Sequence, residues 1–116
     1  MNSNVSKWID ALRSGKYEQT KGKLRYDRTE GEVVWCALGV GCDVFKNDTG
    51  KGKWRTYFGA SAKFEVDTEK SYGIMPTTVR DHYDLCILDA RNISNLNDAG
   101  KTFAEIADWM EEELAK

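Results

Sequence analysis

The run from Trp35 to Phe45 is the most apolar stretch of a chain in which 31% of the residues are charged. Its length suits one buried helix. The positions Val34, Leu38, Cys42 and Phe45 are spaced by four, four and three residues and share one helical face. Gly39 and Gly41 each cost about 1 kcal/mol relative to alanine inside a helix. Their presence therefore predicts a core helix that another element approaches closely.

Length and composition favour a single domain that occupies residues 1–116. A chain of this length buries a core without disulfides or a structural metal. The mean hydropathy is negative, no apolar run reaches 18 residues, and the N-terminus lacks a signal-peptide pattern. Three cysteines without an export signal suit free thiols in a reducing compartment. We therefore expect a cytoplasmic protein with no membrane association.

The N-terminal third predicts an amphipathic helix followed by a β-hairpin. The apolar residues with helical spacing are Val5, Trp8, Ile9 and Leu12. Ser3 or Asn4 is available as the N-cap, and Gly15 suits a left-handed residue after the helix. Leu24–Arg28 alternates apolar and charged residues, and Glu32–Trp35 follows after a turn. This hairpin leads directly into the core helix.

The middle of the chain predicts a loop and a second hairpin. Residues 46–53 have the composition of a loop. The aromatic and β-branched segments 54–58 and 62–66 are typical of strands, and the intervening residues 59–61 suit a hairpin turn. Residues 67–73 are again predicted as loop.

The C-terminal third predicts two helices. The first begins at Pro76 and runs to about Leu88, with an apolar stripe of Val79, Tyr83, Cys86, Ile87 and Ala90. A turn follows over Asn95–Gly100. The last helix starts at a capping box formed by Thr102 and Glu105. The fold class is therefore α+β, with about four helices packed around a small antiparallel sheet of two short hairpins.

Several segments resemble a family of small uncharacterised proteins found in bacteriophage and prophage genomes. The family pattern runs ALRSGxYxQxxGxLR, then CCLGVLCD, a proline–valine helix and LNDxGxxFxxIAxxIE. The matching segments are Trp8–Gln19, Gly22–Arg25, Cys36–Asp43, Pro76–Val79 and Leu96–Glu111. The resemblance implies a phage origin and carries no known activity. It covers most of the chain apart from roughly residues 46–74.

The chain departs from this pattern at three positions. Trp35 stands where a first cysteine is often found, Gly41 replaces a leucine, and His82 stands where a tryptophan is expected. The third departure counts against any mechanism that requires His82.

A thiol enzyme is the sharpest catalytic hypothesis. Cys36 falls at the predicted N-terminus of the core helix, where the helix dipole and free N–H groups lower a thiol pKa. Gln19 would serve as oxyanion donor, His82 as base, and Asp84 or Asp89 as its orienting acid. The residues around Cys36 resemble no known nucleophile motif. A buried structural cysteine is the favoured interpretation.

A zinc site is a weaker hypothesis. His82 and Cys86 are four residues apart, and Cys36 with Cys42 would complete a set of four ligands. On one ideal helix, however, Cys36 and Cys42 point about 240° apart. We therefore expect no metal and no cofactor.

A basic segment near the N-terminus is the favoured candidate for ligand or partner binding. Its candidate contact residues are Lys16, Tyr17, Gln19, Lys21, Lys23 and Arg25, followed by Tyr26 and Arg28. Cations interleaved with tyrosines suit a phosphorylated ligand. The simpler interpretation is a solvated loop that balances the acidic last helix. The net charge of −2 gives no reason to expect nucleic acid.

The last helix carries five acidic residues and is the alternative contact surface: Glu105, Asp108, Glu111, Glu112 and Glu113. Together, these features predict a phage accessory protein that acts without catalysis by binding a host protein or a small phosphorylated ligand, for example to counter a host defence. A small enzyme that uses Cys36 is the alternative. The oligomeric state does not follow from the sequence.

Overall fold

A computed structural model describes residues 2–57 and 59–114. Within them the chain forms five helices and seven short strands. The helices are α1 (Ser3–Arg13), α2 (Ala37–Thr49), α3 (Thr77–His82), α4 (Ile87–Asp98) and α5 (Phe103–Leu114). The strands are β1 (Glu18–Gln19), β2 (Arg25–Asp27), β3 (Val33–Trp35), β4 (Lys53–Arg55), β5 (Ala60–Ser61), β6 (Lys63–Val66) and β7 (Glu69–Ser71). The predicted α+β class is confirmed.

The strands form two small sheets. The first has the order β1-β3-β2-β5, in which β1 runs parallel to β3 and the other pairs are antiparallel. The second has the antiparallel order β4-β6-β7. Both predicted hairpin pairings are therefore present, β2 with β3 and β4 with β6.

Helix α2 lies at the centre of the buried core, as its apolar run predicts. Residues 37–42 are all buried, and Cys36 is the N-cap. A Cβ atom on Gly39 would lie 1.7 Å from the carbonyl oxygen of Leu24, and one on Gly41 would lie 2.8 Å from the Trp8 ring. The two glycines thus permit the close approach that the sequence indicated.

Two hydrogen bonds to the backbone of α2 fix the surrounding aromatic side chains. The Trp8 indole N–H donates to the Ala37 carbonyl at 3.0 Å, and the Tyr83 hydroxyl donates to the Gly41 carbonyl at 2.6 Å. Both rings are almost fully buried, and their centroids are 4.7 Å apart. Buried polar groups of this kind require partners, so these bonds hold α1 and the end of α3 against α2.

A buried asparagine joins the N-terminal strands to the C-terminal helices. The Asn97 side-chain oxygen accepts from the Ala37 N–H at 3.0 Å and from the Gln19 amide at 3.1 Å, while its amide donates to the Thr20 carbonyl at 2.7 Å. Gln19 in turn accepts from the Phe103 N–H at 3.0 Å. We call these five residues the Asn97 cluster. It connects β1, α2, α4 and α5.

The predicted loop over residues 46–53 is wrong in its first half, because α2 continues to Thr49. Its last turn closes on Gly50, which has a left-handed backbone with φ of 73°. A glycine at this position terminates a helix without steric cost. The predicted loop over residues 67–73 likewise contains β7.

The predicted turn over residues 59–61 is wrong at its last two residues, although Gly59 itself is a turn residue. Ala60 and Ser61 form β5, which pairs with β2 of the first sheet. The chain then passes to the second sheet at β6. Phe58, which was predicted as a strand residue, lies outside the described residues.

The predicted helix from Pro76 to about Leu88 is two helices. Helix α3 begins directly after Pro76 and ends at His82, and α4 begins only at Ile87. Asp84 lies between them with φ of 52°, a conformation that no helix continues through. This break gives five helices where about four were expected, and α4 extends to Asp98 into the predicted turn.

The ends of the first and last helices agree closely with the sequence patterns. Asn2, rather than Ser3 or Asn4, is the N-cap of α1, and its side chain accepts from the Asn4 N–H at 2.7 Å. The predicted capping box is confirmed: Thr102 and Glu105 exchange hydrogen bonds of 3.0 and 3.1 Å.

No helix in residues 2–57 and 59–114 has the length and hydropathy to cross a membrane.

Candidate functional site

Cys36 has the position predicted for it, at the N-terminus of the core helix. Its sulfur accepts from the Gly39 N–H at 3.4 Å, as expected at a helix N-cap. Burial nevertheless raises the pKa of the Cys36 thiol to about 11, because desolvation outweighs the backbone hydrogen bonds. The geometry therefore favours a structural cysteine.

His82 makes its contacts in a different part of the fold. Its ring packs edge-on against Phe45 and Tyr83, and Nε2 lies 3.7 Å from a carboxylate oxygen of Asp48. The structure therefore gives His82 the surroundings of a core-edge side chain, and none of these contacts involves Cys36.

The proposed zinc ligands do not share a helix. His82 ends α3, whereas the exposed Cys86 is the N-cap of α4, and Cys42 is fully buried inside α2. Within the described residues, no group of three or more histidine, cysteine, aspartate or glutamate side chains is placed to hold a metal ion.

Three of the candidate residues in the basic segment are engaged inside the protein. The Tyr17 hydroxyl donates to Asp43 at 2.7 Å, which together with burial raises the Tyr17 pKa. The Gln19 amide belongs to the Asn97 cluster. Arg25 donates to Asp27 through Nε at 2.8 Å and lies over the Trp35 ring at 5.0 Å. These contacts give the three residues roles in the fold.

The lysines of the basic segment remain at the surface. Lys16 and Lys21 are exposed, and the Lys23 ammonium lies 4.4 Å from the centre of the Tyr26 ring. The acidic helix is partly compensated by α1, because Arg13, the last residue of α1, pairs with Asp108 and Glu111, each at 2.6 Å. This contact joins α1 to α5.

A surface groove lies between the residues that follow β7, helix α3 and helix α4. Its volume is about 200 Å³. Leu38 and Met75 are buried residues in its lining, whereas Ile74 is 69% exposed and Ile87 is 48% exposed. The remaining lining residues are Gly73, Arg80, Ala90, Arg91, Ser94 and Asn95.

The arginines of this groove differ from the other arginines of the chain. Four of the six pair with carboxylates: Arg13 with Asp108, Arg25 with Asp27, Arg28 with Glu32 and Arg55 with Glu65. Within residues 2–57 and 59–114, Arg80 and Arg91 have no such partner. Both line the groove. We call this site, with Arg80, Arg91, Ile74 and Ile87 at its centre, the arginine groove.

Arg80 is the less satisfied of the two. Its Nε atom is buried and has no hydrogen-bond partner among the described residues. Its Nη2 atom makes a single long contact of 3.5 Å to the Thr77 hydroxyl. A guanidinium has five donors, so most of the hydrogen-bonding capacity of this side chain is unused.

Sequence reasoning did not identify the arginine groove. The pattern placed Ile87 on a buried stripe of one continuous helix, whereas the break at Asp84 turns it outward. The available signal was two arginines 11 residues apart with isoleucines nearby in the sequence. The sequence shows neither which isoleucines are exposed nor which arginines have carboxylate partners.

The fold and the groove define a small α+β protein with a cationic and apolar surface site. The chain belongs to a family described as a domain of unknown function, DUF8296, whose profile matches residues 1–91. The matched range contains α1 to α3, both sheets and the Arg80 and Arg91 positions. No curated protein and no solved structure matches the chain.

Proposed function

We propose that the chain is a phage-encoded accessory protein that acts in the host cytoplasm by binding a host protein, and that the arginine groove is the contact surface. The observation that carries the proposal is the combination of two unpaired arginines with exposed isoleucines around one groove. Contiguous exposed apolar surface marks interaction sites. Arginine is also enriched in protein interfaces.

The surface beside the groove extends the apolar contact. Leu88 follows Ile87 at the start of α4 and is 61% exposed. A protein partner that covers Ile74, Ile87 and Leu88 gains the hydrophobic free energy of all three side chains. The buried thiol of Cys36 gives the alternative, a cysteine-dependent enzyme, less support.

The phage origin and the host partner are supported by the resemblance of five segments to phage and prophage proteins. The basic segment is a less favourable contact surface than the groove, because Tyr17, Gln19 and Arg25 are occupied within the fold. Lys16, Lys21 and Lys23 remain available to extend an interface.

Site-specific photo-crosslinking in a bacterial host tests the proposal. A photoreactive phenylalanine analogue replaces Ile87 in the groove or, as the matched control, Tyr57, which is 68% exposed. The tagged chain is irradiated in cells and purified under denaturing conditions. We expect a discrete protein adduct from position 87 and none from position 57.

Two results would count against the proposal. The first is an adduct from position 57 of equal yield, which indicates nonspecific contact. The second is a chain with the analogue at position 87 that folds normally yet gives no adduct. The adduct from position 87 must also disappear when Ile74→Ser is introduced, because Ile74 belongs to the same surface.

A further inference from the structure

We infer that the arginine groove binds a short acidic segment of the partner, in which carboxylates alternate with apolar side chains. The inference rests on the proposed function, because it specifies the chemistry of the partner at the same surface. It depends on the unpaired charges of the groove, on its apolar lining and on its size.

The positive charge of the two arginines in the groove favours a ligand that carries carboxylates. Arg80 belongs to α3 and Arg91 to α4, so the two guanidinium groups enter the groove from different helices. Planar guanidinium groups bind carboxylates through two parallel hydrogen bonds. The other four arginines of the chain have such acidic partners within the fold, whereas these two have no carboxylate partner among the described residues.

One hydrogen-bond donor of Arg80, the Nε atom, is already desolvated in the free groove. The buried Nε atom lacks a partner in residues 2–57 and 59–114, and the contact to Thr77 is long. A buried polar atom without a partner destabilises the state that contains it. A carboxylate that draws the guanidinium into a paired arrangement relieves this cost, so the free groove favours binding an acid.

The apolar lining of the groove favours a ligand that has apolar side chains next to its acidic ones. Ile74 and Ile87 stand at the groove, and Leu38 and Met75 are buried beneath its surface. A ligand made only of charged groups leaves these side chains in contact with water. Alternating acidic and apolar residues satisfy both components of the surface.

The dimensions favour a peptide segment over a compact phosphorylated molecule. The groove volume of about 200 Å³ is below the range typical of small-molecule sites, about 300–1,000 Å³. Leu88, which follows the lining residue Ile87 in α4, is also exposed. A peptide can lie along this surface, whereas a small phosphate ester reaches only part of it.

Selection from a displayed library of random 12-residue peptides tests the inference. The folded chain is the target, and binding of selected peptides is then measured by fluorescence anisotropy. We expect selected sequences to combine glutamate or aspartate with leucine, isoleucine or phenylalanine. Arg91→Gln should weaken binding at least tenfold, whereas Arg55→Gln, an equal change of charge at an exposed arginine of the second sheet, should change it less than twofold.

Three outcomes would overturn the inference. They are selected peptides without an excess of acidic residues, peptides that bind Arg91→Gln as tightly as the original chain, and no enrichment over selection on the double variant Arg80→Gln/Arg91→Gln. Phenyl phosphate serves as the competing probe. If it binds the groove more tightly than every selected peptide, the site is for a small phosphorylated ligand.

The experiments can contradict the proposed binding function and the acidic nature of the bound segment independently of each other. An adduct from position 87 in cells, together with selected peptides that lack acidic residues, leaves the binding function intact and contradicts the acidic segment. Arginine-dependent binding of acidic peptides without any cellular adduct contradicts the proposed function, while the chemistry of the groove stands. Circular dichroism spectra and melting temperatures of the variants verify that each one is folded.

Discussion

The Asn97 cluster and the arginine groove use polar side chains in opposite ways. In the cluster, the Asn97 side chain makes three hydrogen bonds and Gln19 makes further bonds to α5 and the turn before it. In the groove, Arg80 and Arg91 lack acidic partners among the described residues. Buried hydrogen bonds in the cluster hold the fold together, whereas the two arginines of the groove contribute no ion pair to it.

The family match covers both arginines of the groove but not the central residue of the cluster. The family profile matches residues 1–91, which include Gln19, Arg80 and Arg91. Asn97 lies beyond that range, as does Asp98, whose carboxylate accepts from the Gly22 N–H at 3.1 Å.

The largest expected effect is that of Gly39→Ala in α2. Alanine normally stabilises a helix by about 1 kcal/mol relative to glycine. Here the new Cβ would lie 1.7 Å from the Leu24 carbonyl oxygen. Because backbone cannot yield as a side chain does, we expect a loss of about 4 kcal/mol or more in the free energy of unfolding, measured with urea.

The matched control for this variant is Gly50→Ala. Its Cβ meets no atom within 4 Å, and only the left-handed φ of 73° opposes it. We expect a loss of about 1 kcal/mol. Equal unfolding midpoints for the two variants would show that the close approach of α2 to Leu24 is not real.

Asn97→Ala should have the next largest effect. The substitution leaves the Ala37 N–H and the Thr20 carbonyl without their partner. An unsatisfied buried group costs about 1–3 kcal/mol, so we expect a loss of about 3 kcal/mol. Asn92→Ala, at an exposed position of the same helix, should stay within about 0.5 kcal/mol. Similar losses for both would remove the distinction between the cluster and ordinary surface.

The same substitution at two arginines compares a paired side chain of the fold with an unpaired side chain of the groove. Arg25→Gln removes the partner of Asp27, which is only 8% exposed, and should lower the free energy of unfolding by about 1–3 kcal/mol. Arg91→Gln removes no internal partner and should stay within about 0.5 kcal/mol. Chemical denaturation of both variants measures these two losses in the free energy of unfolding. If Arg91→Gln is the more destabilising, Arg91 belongs to the fold and not to a binding site.

Features with local physical causes could be predicted from the sequence. The apolar run and its two glycines indicated α2 as a closely packed core helix. Thr102 and Glu105 indicated the start of α5, because a capping box depends only on residues three apart. Alternating residues likewise predicted the pairing of β2 with β3.

Features that depend on distant contacts could not be predicted. Strands β1 and β5 have two residues each and exist through their pairing with β3 and β2. The left-handed conformation of Asp84 divides a continuous apolar stripe into two helices. The position of the groove depends on this division. Its unpaired charge depends on which of the six arginines find a carboxylate partner in the fold. Neither property is local to a short stretch of the chain.

The smallest predicted effect concerns His82, at the edge of the core beside Phe45 and Tyr83. Its side chain is 17% exposed, and Nε2 is buried without a hydrogen-bond partner in the described residues. Burial lowers the pKa of His82 below its usual 6.5, and nearby Asp48 only partly opposes this. The unfolded chain therefore takes up a proton at higher pH than the folded chain does.

The sign of the pH dependence follows from that difference. The contribution of neutral His82 to stability is complete above about pH 6.5 and is lost as the pH falls from 6.5 through the lower folded pKa, with a slope of at most about 1.4 kcal/mol per pH unit. The free energy of unfolding should thus fall more between pH 7.5 and 5.5 in the original chain than in His82→Gln, in which carboxylates titrate equally. Parallel pH profiles would mean that His82 is as accessible to protons in the folded chain as in the unfolded one. In that case the C-terminal end of α3, which borders the helix break, would lack the buried contact that His82 makes in the structure.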